Sequence, residues 1–242
     1  MEGSFQHLDS SGSRGTLRTG GVQWMTAGKG VVHAEMPSDE IIKNGGKVEG
    51  FQLWLNLPKK LKMIEPRYQD FDPETIPAVT LEDGKSLIKI IAGKFNGVES
   101  PVQLRFPTVV FDARLEAKGK VCLTVPKNMN SMVYCWRGSG KCGTKQLNMG
   151  VGAILENNSD EDTIVELESD KDSCMYSLFL AAAPIGEPVA RWGPFVMNSQ
   201  DELAQARDDY RSGRLGGQIA GAAERQKQTE KALATQQKNS KP

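Results

Sequence analysis

Two residues in the first part of the chain, His33 and Glu35, carry side chains that could hold a metal ion. They stand at positions i and i+2, and such residues point to the same face of a β-strand. One imidazole nitrogen and one carboxylate oxygen make a mixed donor set that suits Fe(II) and similar divalent metals. Gly28 and Gly30 come just before them and permit a tight turn with positive φ. The spacing predicts a turn followed by a metal-bearing strand, with a solvent-facing pair of polar residues as the alternative.

Other side chains are candidates for the wall of a substrate pocket beside this pair. Residues 50–57 alternate apolar and polar types and predict a strand, on which Gln52 and Trp54 face away from the leucines. Met25 follows Trp24 on the approach to the glycine turn. We predict that Gln52, Trp54 and Met25 line the pocket, and packing in the core is the alternative for Trp54 and Met25.

The elements that must position these residues are predicted to be short strands. Apolar runs of four to eight residues alternate with glycine-containing turns, which is typical of a β-sandwich or barrel. Besides residues 50–57, the predicted strands are 87–92, 108–113, 121–125, 131–136, 153–155, 163–167 and 174–181. Pro66 and Pro73 mark a loop over about residues 59–77, in which Glu65 and Asp70 are expected to be solvated. The predicted fold class is therefore all-β.

The β pattern occurs on both sides of a boundary near residues 98–106, so we predict domains at residues 1–100 and 101–198. Ser199 is followed three residues later by Glu202, which is a capping-box signature and predicts a short helix within residues 199–215. Residues 216–242 are rich in Gln, Lys and Ala and are expected to form a polar, disordered tail. A weak contact with nucleic acid or a partner is the alternative for that tail.

Composition excludes several classes of protein. Basic and acidic residues both number 30, so the chain lacks the basic footprint of a nucleic-acid-binding protein. It has no apolar run long enough to span a membrane, and its first residues do not resemble a signal peptide. The four cysteines form no Cys-x-x-Cys pair and are expected to be reduced thiols of a cytosolic or nuclear protein.

Four motifs, in order along the chain, together resemble those of the pirin family in the cupin superfamily. The most specific is QWMTAGKGVVHAEMP at residues 23–37, which contains His33 and Glu35. The others are GFQLWLNL at 50–57, MIEPRY at 63–68 and GPFVMN at 193–198. The resemblance covers about residues 1–215.

This resemblance implies a bicupin, in which two β-barrel domains follow each other and the first holds iron through three His and one Glu. His33 and Glu35 match two of those ligands. The family's His-x-His pair precedes the segment that matches residues 2–9, and this sequence does not contain it. We therefore expect a first barrel without its opening strands, a less ordered first domain, and an Fe(II) site that is weak or empty. His7 matches a residue that is not a ligand in the family, and the alternative is that it serves as a substitute ligand.

Two functions remain open. The resemblance favours a protein-binding cofactor of transcriptional or signalling complexes in the nucleus or cytoplasm, without direct contacts to nucleic acid or membrane. The alternative is a metal-dependent quercetin 2,3-dioxygenase acting on flavonols, with Glu35 as both ligand and catalytic base. We expect that activity to be weak or absent here, because His33 and Glu35 are the only recognisable ligands.

Overall fold

The computed structural model describes residues 2–10, 12–157, 159–216 and residue 230. Strands dominate the described residues, and the all-β prediction is confirmed. The strands are β1 (Phe5–Asp9), β2 (Arg14–Leu17), β3 (Val22–Thr26), β4 (His33–Pro37), β5 (Arg67–Phe71), β6 (Ala78–Thr80), β7 (Leu87–Ala92), β8 (Lys94–Phe95), β9 (Val98–Glu99), β10 (Thr108–Leu115), β11 (Lys120–Val125), β12 (Asn130–Cys142), β13 (Lys145–Asn148), β14 (Gly152–Leu155), β15 (Thr163–Ser169), β16 (Met175–Ala182), β17 (Ala190–Trp192) and β18 (Phe195–Met197). The helices are α1 (Asp39–Asn44), α2 (Lys59–Lys62) and α3 (Gln200–Arg211).

The chain divides into two compact units that do not follow the predicted boundary. One unit combines the described residues of 1–73 with those from 186 onward, and the other is residues 74–185. The predicted boundary near 98–106 therefore lies inside the second unit. The reason is strand pairing: β7 forms antiparallel ladders with both β6 and β10, which ties residues 78–92 to the later strands.

The second unit is built on a nine-stranded sheet around one apolar core. Its main path runs β11-β15-β12-β16-β10-β7-β6, and β13 and β14 pair with the long strand β12. Alternation explains the core, since every second residue of β11 is buried while its neighbours are exposed. The largest fully buried side chains include Phe179, Ile88, Ile90 and Leu123. Burial of such side chains stabilises a fold by about 1.5–3 kcal/mol each.

The first unit has smaller sheets and a more polar interior. Strand β1 lies between β2 and β4, β3 pairs with β5, and β17 pairs with β18. Its buried apolar residues, among those described, are Leu8, Pro58, Ala190, Leu203 and Ala206. Its buried polar residues are His7, Asp9, Thr26, Ser38, Lys62 and Gln69. These groups need hydrogen-bond or ionic partners, because buried polar groups are costly without them.

Three local predictions were wrong. Residues 50–57 form no strand, because no described segment supplies a ladder of hydrogen bonds to them. The predicted loop at 59–77 contains α2 and β5, and Asp70 lies on β5. Helix α1 was missed, although Ser38 caps its start and Gly45 its end.

Other local predictions are confirmed. The strands predicted from residue 87 onward are present, with β12 extending to Cys142 beyond its predicted end. Helix α3 begins after Ser199, whose side chain accepts a hydrogen bond from the Glu202 amide. The predicted tail at residues 216–242 lies outside the described residues, apart from residues 216 and 230. Within the described part of the chain, none of the helices has the length and apolar character needed to span a membrane.

Candidate functional site

The β1–β4 ladder brings four titratable side chains to one face of the first unit. In this antiparallel register His7 lies opposite Glu35, and Asp9 lies opposite His33. Leu8 and Ala34, the pair between them, point to the other face. The predicted pair on β4 therefore has a matching pair of polar residues on its neighbouring strand.

His33 and Glu35 lie side by side as the sequence predicts. The His33 Nδ1 atom is 3.9 Å from Glu35 Oε1. That nitrogen is buried and has no hydrogen-bond partner among the described residues, so it is available to coordinate a metal. Glu35 Oε2 accepts a hydrogen bond of 3.0 Å from Gln52 Nε2. Gln52, a predicted pocket residue, thus lies beside the carboxylate, and its role in a substrate pocket stays a prediction.

His7 lies inside a network of hydrogen bonds and ring contacts. Gln23 Nε2 donates to His7 Nδ1 at 2.8 Å and to Asp70 Oδ1 at 3.0 Å. His7 Nε2 is 3.7 Å from Asp70 Oδ2, and the Tyr68 ring stacks on the imidazole with centroids 5.7 Å apart. These contacts support the interpretation of His7 as a residue that supports the site rather than a ligand.

Tyr68 is a residue of this face that the sequence did not single out. Burial raises the pKa of its phenol, and the negative charges of Asp9, Glu35 and Asp70 raise it further. The phenol therefore stays protonated and can donate a hydrogen bond beside these carboxylates. Its only sequence signal was its place at the end of the MIEPRY motif, because the β3–β5 pairing that brings it here is long-range.

The predicted glycine turn is present and is tightly packed. Gly28 has φ of +53°, and a Cβ atom there would lie 2.1 Å from the Ile64 carbonyl oxygen. At Gly30 a Cβ atom would lie 2.3 Å from Leu215 Cγ. The turn opens on a cleft of about 510 Å³, whose lining includes Ser10, Ser13, Lys29, Glu65, Arg67, Tyr68 and Gly216.

None of the three predicted pocket residues, Gln52, Trp54 and Met25, is among those that line this cleft. Trp54 is 57% exposed, and the Arg191 guanidinium lies 5.2 Å from its ring centroid. Met25 is half-buried on β3, opposite Tyr68. Their predicted role in binding a substrate stays a prediction.

Across the part of the chain that the structure describes, no three His, Cys, Asp or Glu side chains are grouped as metal ligands. His33 and Glu35 supply one nitrogen and one oxygen donor, which is part of a mixed donor set. The described residues therefore do not fit a complete metal centre.

Comparisons with known proteins agree with the motifs. A family model described as Pirin matches residues 1–55, and one described as the Pirin C-terminal cupin domain matches residues 110–216. Over 224 residues the chain is 38% identical to a pirin-like protein of Arabidopsis thaliana, covering 89% of this chain and 70% of the relative. It is also 38% identical to a putative quercetin 2,3-dioxygenase of Vibrio cholerae, covering 88% of this chain and 73% of that protein.

A solved structure has the same fold. The crystal structure of quercetin 2,3-dioxygenase from Acinetobacter baumannii superposes with a TM-score of 0.83 at 35% identity. The superposition covers 89% of this chain and 74% of that one. The predicted cupin fold is confirmed.

Proposed function

The chain belongs to the pirin family, and from this premise we propose that it is a protein-binding cofactor of transcriptional or signalling complexes with an impaired iron site. The observation that carries the proposal is the donor count on the β1–β4 face. His33 and Glu35 lie together, and no third donor joins them among the described residues.

A metal held by two protein ligands binds weakly. Fe(II) is the metal we propose, because an imidazole and a carboxylate suit it and the resemblance to the pirin family implies iron. His33 Nδ1 and the Glu35 carboxylate would hold it, and when bound the ion would supply Lewis-acid and O₂ chemistry. Gln52 would orient Glu35 through its hydrogen bond, and Tyr68 would keep a proton next to the carboxylates.

The surface chemistry of the first unit supports a protein partner. Trp192 and Tyr210 are 52% and 51% exposed, and the Arg207 guanidinium lies 5.2 Å from the Trp192 ring centroid. Trp, Tyr and Arg are the residues enriched at protein interfaces. The equal number of basic and acidic residues gives no overall field that would attract nucleic acid.

The cysteines support the proposed compartments. All four are free thiols, and Cys135 and Cys142 are buried. Burial raises the pKa of both thiols, which makes them poor nucleophiles. Free cysteines are typical of the reducing nucleus and cytoplasm, which we propose as the compartments.

Iron content tests the proposal. After anaerobic loading with Fe(II) and removal of free metal, we expect elemental analysis to find well below one iron per chain, since water must fill most coordination positions. The Vibrio cholerae relative, loaded in parallel, is the control. A His33→Ala variant should lose the remaining iron. Iron near one per chain would show that the site is not impaired.

Partner binding tests the other half of the proposal. We expect chelator-treated chain to capture a protein from nuclear or cytosolic extract, and Trp192→Ala to weaken that capture at least about tenfold, as interface tryptophans do. Ile154→Ala is the control, because Ile154 is 81% exposed on β14 in the second unit. Capture that requires added iron, or that Trp192→Ala leaves unchanged, would contradict the proposal.

A flavonol dioxygenase is the second candidate, supported by the names of the Vibrio and Acinetobacter relatives and by Glu35, which is 41% exposed beside His33. In that function Glu35 would be both ligand and base. With an incomplete donor set we expect quercetin turnover roughly 100-fold or more below that of the Acinetobacter enzyme. Oxygen uptake measures it, and Glu35→Gln should remove what remains. Turnover equal to the relative's would favour the enzyme over the cofactor.

A further inference from the structure

Three aromatic rings and one guanidinium group form an exposed surface on the first unit, called the aromatic patch below. Strands β17 and β18 place Trp192 opposite Phe195, and their two rings are stacked with centroids 6.4 Å apart. Tyr210 of α3 meets the Phe195 ring edge-on, with centroids 6.0 Å apart. The Arg207 guanidinium lies 5.2 Å from the centroid of the Trp192 ring. The patch therefore combines exposed apolar surface with one positive charge.

Arg207 is a cation that the described residues leave without an acidic partner. Its Nε atom is buried and makes no hydrogen bond within the described part of the chain. The helix offers it no carboxylate, because the positions three and four residues away hold Leu203, Ala204, Tyr210 and Arg211. By contrast, the α3 residues Glu202 and Asp209 each have a basic partner. The charge of Arg207 is thus available to a group outside the described structure.

The chemistry of this cation indicates what would bind it. Burial removes water from part of a charged group, and that loss is costly when no partner replaces the water. Only the Nε atom of the guanidinium is buried without a partner, which leaves its two Nη atoms at the surface. A carboxylate bound end-on to the Nη atoms would supply a negative charge and two charge-assisted hydrogen bonds.

A single guanidinium fits a carboxylate better than a phosphate group. Phosphorylated partners are normally bound by clusters of arginines, and the aromatic patch contains one. The rings beside Arg207 would bury an apolar side chain next to the carboxylate, and the exclusion of water there would strengthen the ion pair. Tryptophan, tyrosine and arginine are also the residues that contribute most to binding at protein interfaces. The patch therefore fits an acidic and apolar segment of a protein.

We propose that the aromatic patch binds an acidic segment of a protein partner, in which an Asp or Glu carboxylate pairs with Arg207 and a neighbouring apolar side chain packs on the rings. This binding mode deepens the proposed function and rests on it, since the same surface serves there as the contact with a protein partner. Charge complementarity selects the partner, because Arg207 has no negative group of its own among the described residues.

An array of short synthetic peptides, probed with the labelled full chain, tests the chemistry of the partner. The array varies acidic, amide, basic, apolar and phosphoserine residues. We expect the bound peptides to be enriched in Asp or Glu next to an apolar residue, and Arg207→Gln to lose that enrichment. Arg105→Gln is the matched control and should bind like the wild type, because Arg105 is an exposed arginine of the second unit. Circular dichroism checks that both variants fold.

Three results of the array would overturn the proposal. They are a preference for phosphoserine over Asp and Glu, bound peptides without acidic enrichment, and a wild-type chain that binds none of the peptides. Equal enrichment in the wild type and Arg207→Gln would overturn it as well, since the carboxylate would then contact another group.

A double-mutant cycle tests the contact itself. Fluorescence anisotropy compares the tightest acidic peptide with its amide analogue, on the wild-type chain and on Arg207→Gln. Each single change should weaken binding roughly tenfold, as expected for a hydrogen bond between charged groups. The two changes together should cost little more than one, because they remove the same contact. Fully additive losses would overturn the proposal.

Two outcomes separate this binding mode from the proposed function on which it rests. If Trp192→Ala leaves the capture of protein from extract unchanged, the protein-binding function is wrong and the acidic partner is overturned with it. If Trp192→Ala weakens that capture while the losses in the cycle are additive, the protein-binding function stands and only the acidic partner is overturned.

Discussion

Gly15 shows at the scale of single residues how the polar interior of the first unit is built. It lies opposite His7 in the β1–β2 ladder, and a Cβ atom there would be 2.5 Å from His7 Cε1. The imidazole cannot move away easily, because the Gln23 side chain is hydrogen-bonded to its Nδ1 atom and the Tyr68 ring stacks on it. The absence of a side chain at position 15 is therefore what gives the buried ring its space.

Gly15→Ala should consequently lower the free energy of unfolding by about 1–3 kcal/mol, the usual cost of overpacking. Urea denaturation measures it. Gly50→Ala is the control, since its Cβ atom would make only an ordinary contact of 3.8 Å with Phe5. In a His7→Ala background the cost of Gly15→Ala should largely disappear. An equal cost in both backgrounds would mean that the ring is not the obstacle.

The sequence alone predicted those residues of the β1–β4 face that lie close to each other along the chain. His33 and Glu35 are two positions apart, so the strand period alone places them together. Asp9 and Tyr68 reach the same face through the β1–β4 and β3–β5 registers, which no local pattern encodes. For the same reason the sequence placed Asp70 in a loop. In the structure it lies on β5 and accepts a hydrogen bond from Gln23.

Helix α3 illustrates the element scale, where local signals were strong. The Ser199 side chain accepts from the Glu202 amide at 3.2 Å, and Glu202 Oε2 accepts from the Asn198 amide at 2.9 Å. Glu202 also pairs with Lys59 at 2.8 Å, and this contact is the main cause of its lowered pKa. The capping residues thus start the helix and fasten it to α2.

Ser199→Ala should therefore destabilise the first unit by about 1 kcal/mol, the typical cost of losing an N-cap. Ser199→Thr keeps an acceptor oxygen and should cost less. Thermal unfolding followed by far-ultraviolet circular dichroism compares the two variants. If alanine and threonine behave alike, the cap does not limit the stability of this unit.

Residues 50–57 show the opposite case at the same scale. Their alternation is as regular as that of β11, yet β11 is a strand and residues 50–57 are not. A strand exists only where a neighbour completes its hydrogen bonds, and a sequence pattern describes one side of that pair. The regular pattern therefore predicted a strand that the structure does not have.

At the scale of the whole molecule, the strand pattern predicted the all-β class and the resemblance of the motifs implied the cupin fold, but neither predicted the division into units. The apolar core of the second unit could be read from alternation in β7 and β11. The division could not, because the first unit is assembled from both ends of the chain. Such an arrangement depends on contacts between residues more than a hundred positions apart, such as that of the Lys59 amide with Glu187.

This discontinuous arrangement has a consequence for how the protein is made on the ribosome. Residues 74–185 leave the ribosome as a complete unit, with every strand of the nine-stranded sheet available. The strands that carry His7 and His33 are made first but must wait for residues 186 onward, a delay on the order of ten seconds at ordinary rates of translation. During that interval the nascent first unit is without Leu203 and Ala206, two of its few buried apolar side chains, and is the part that a chaperone would hold.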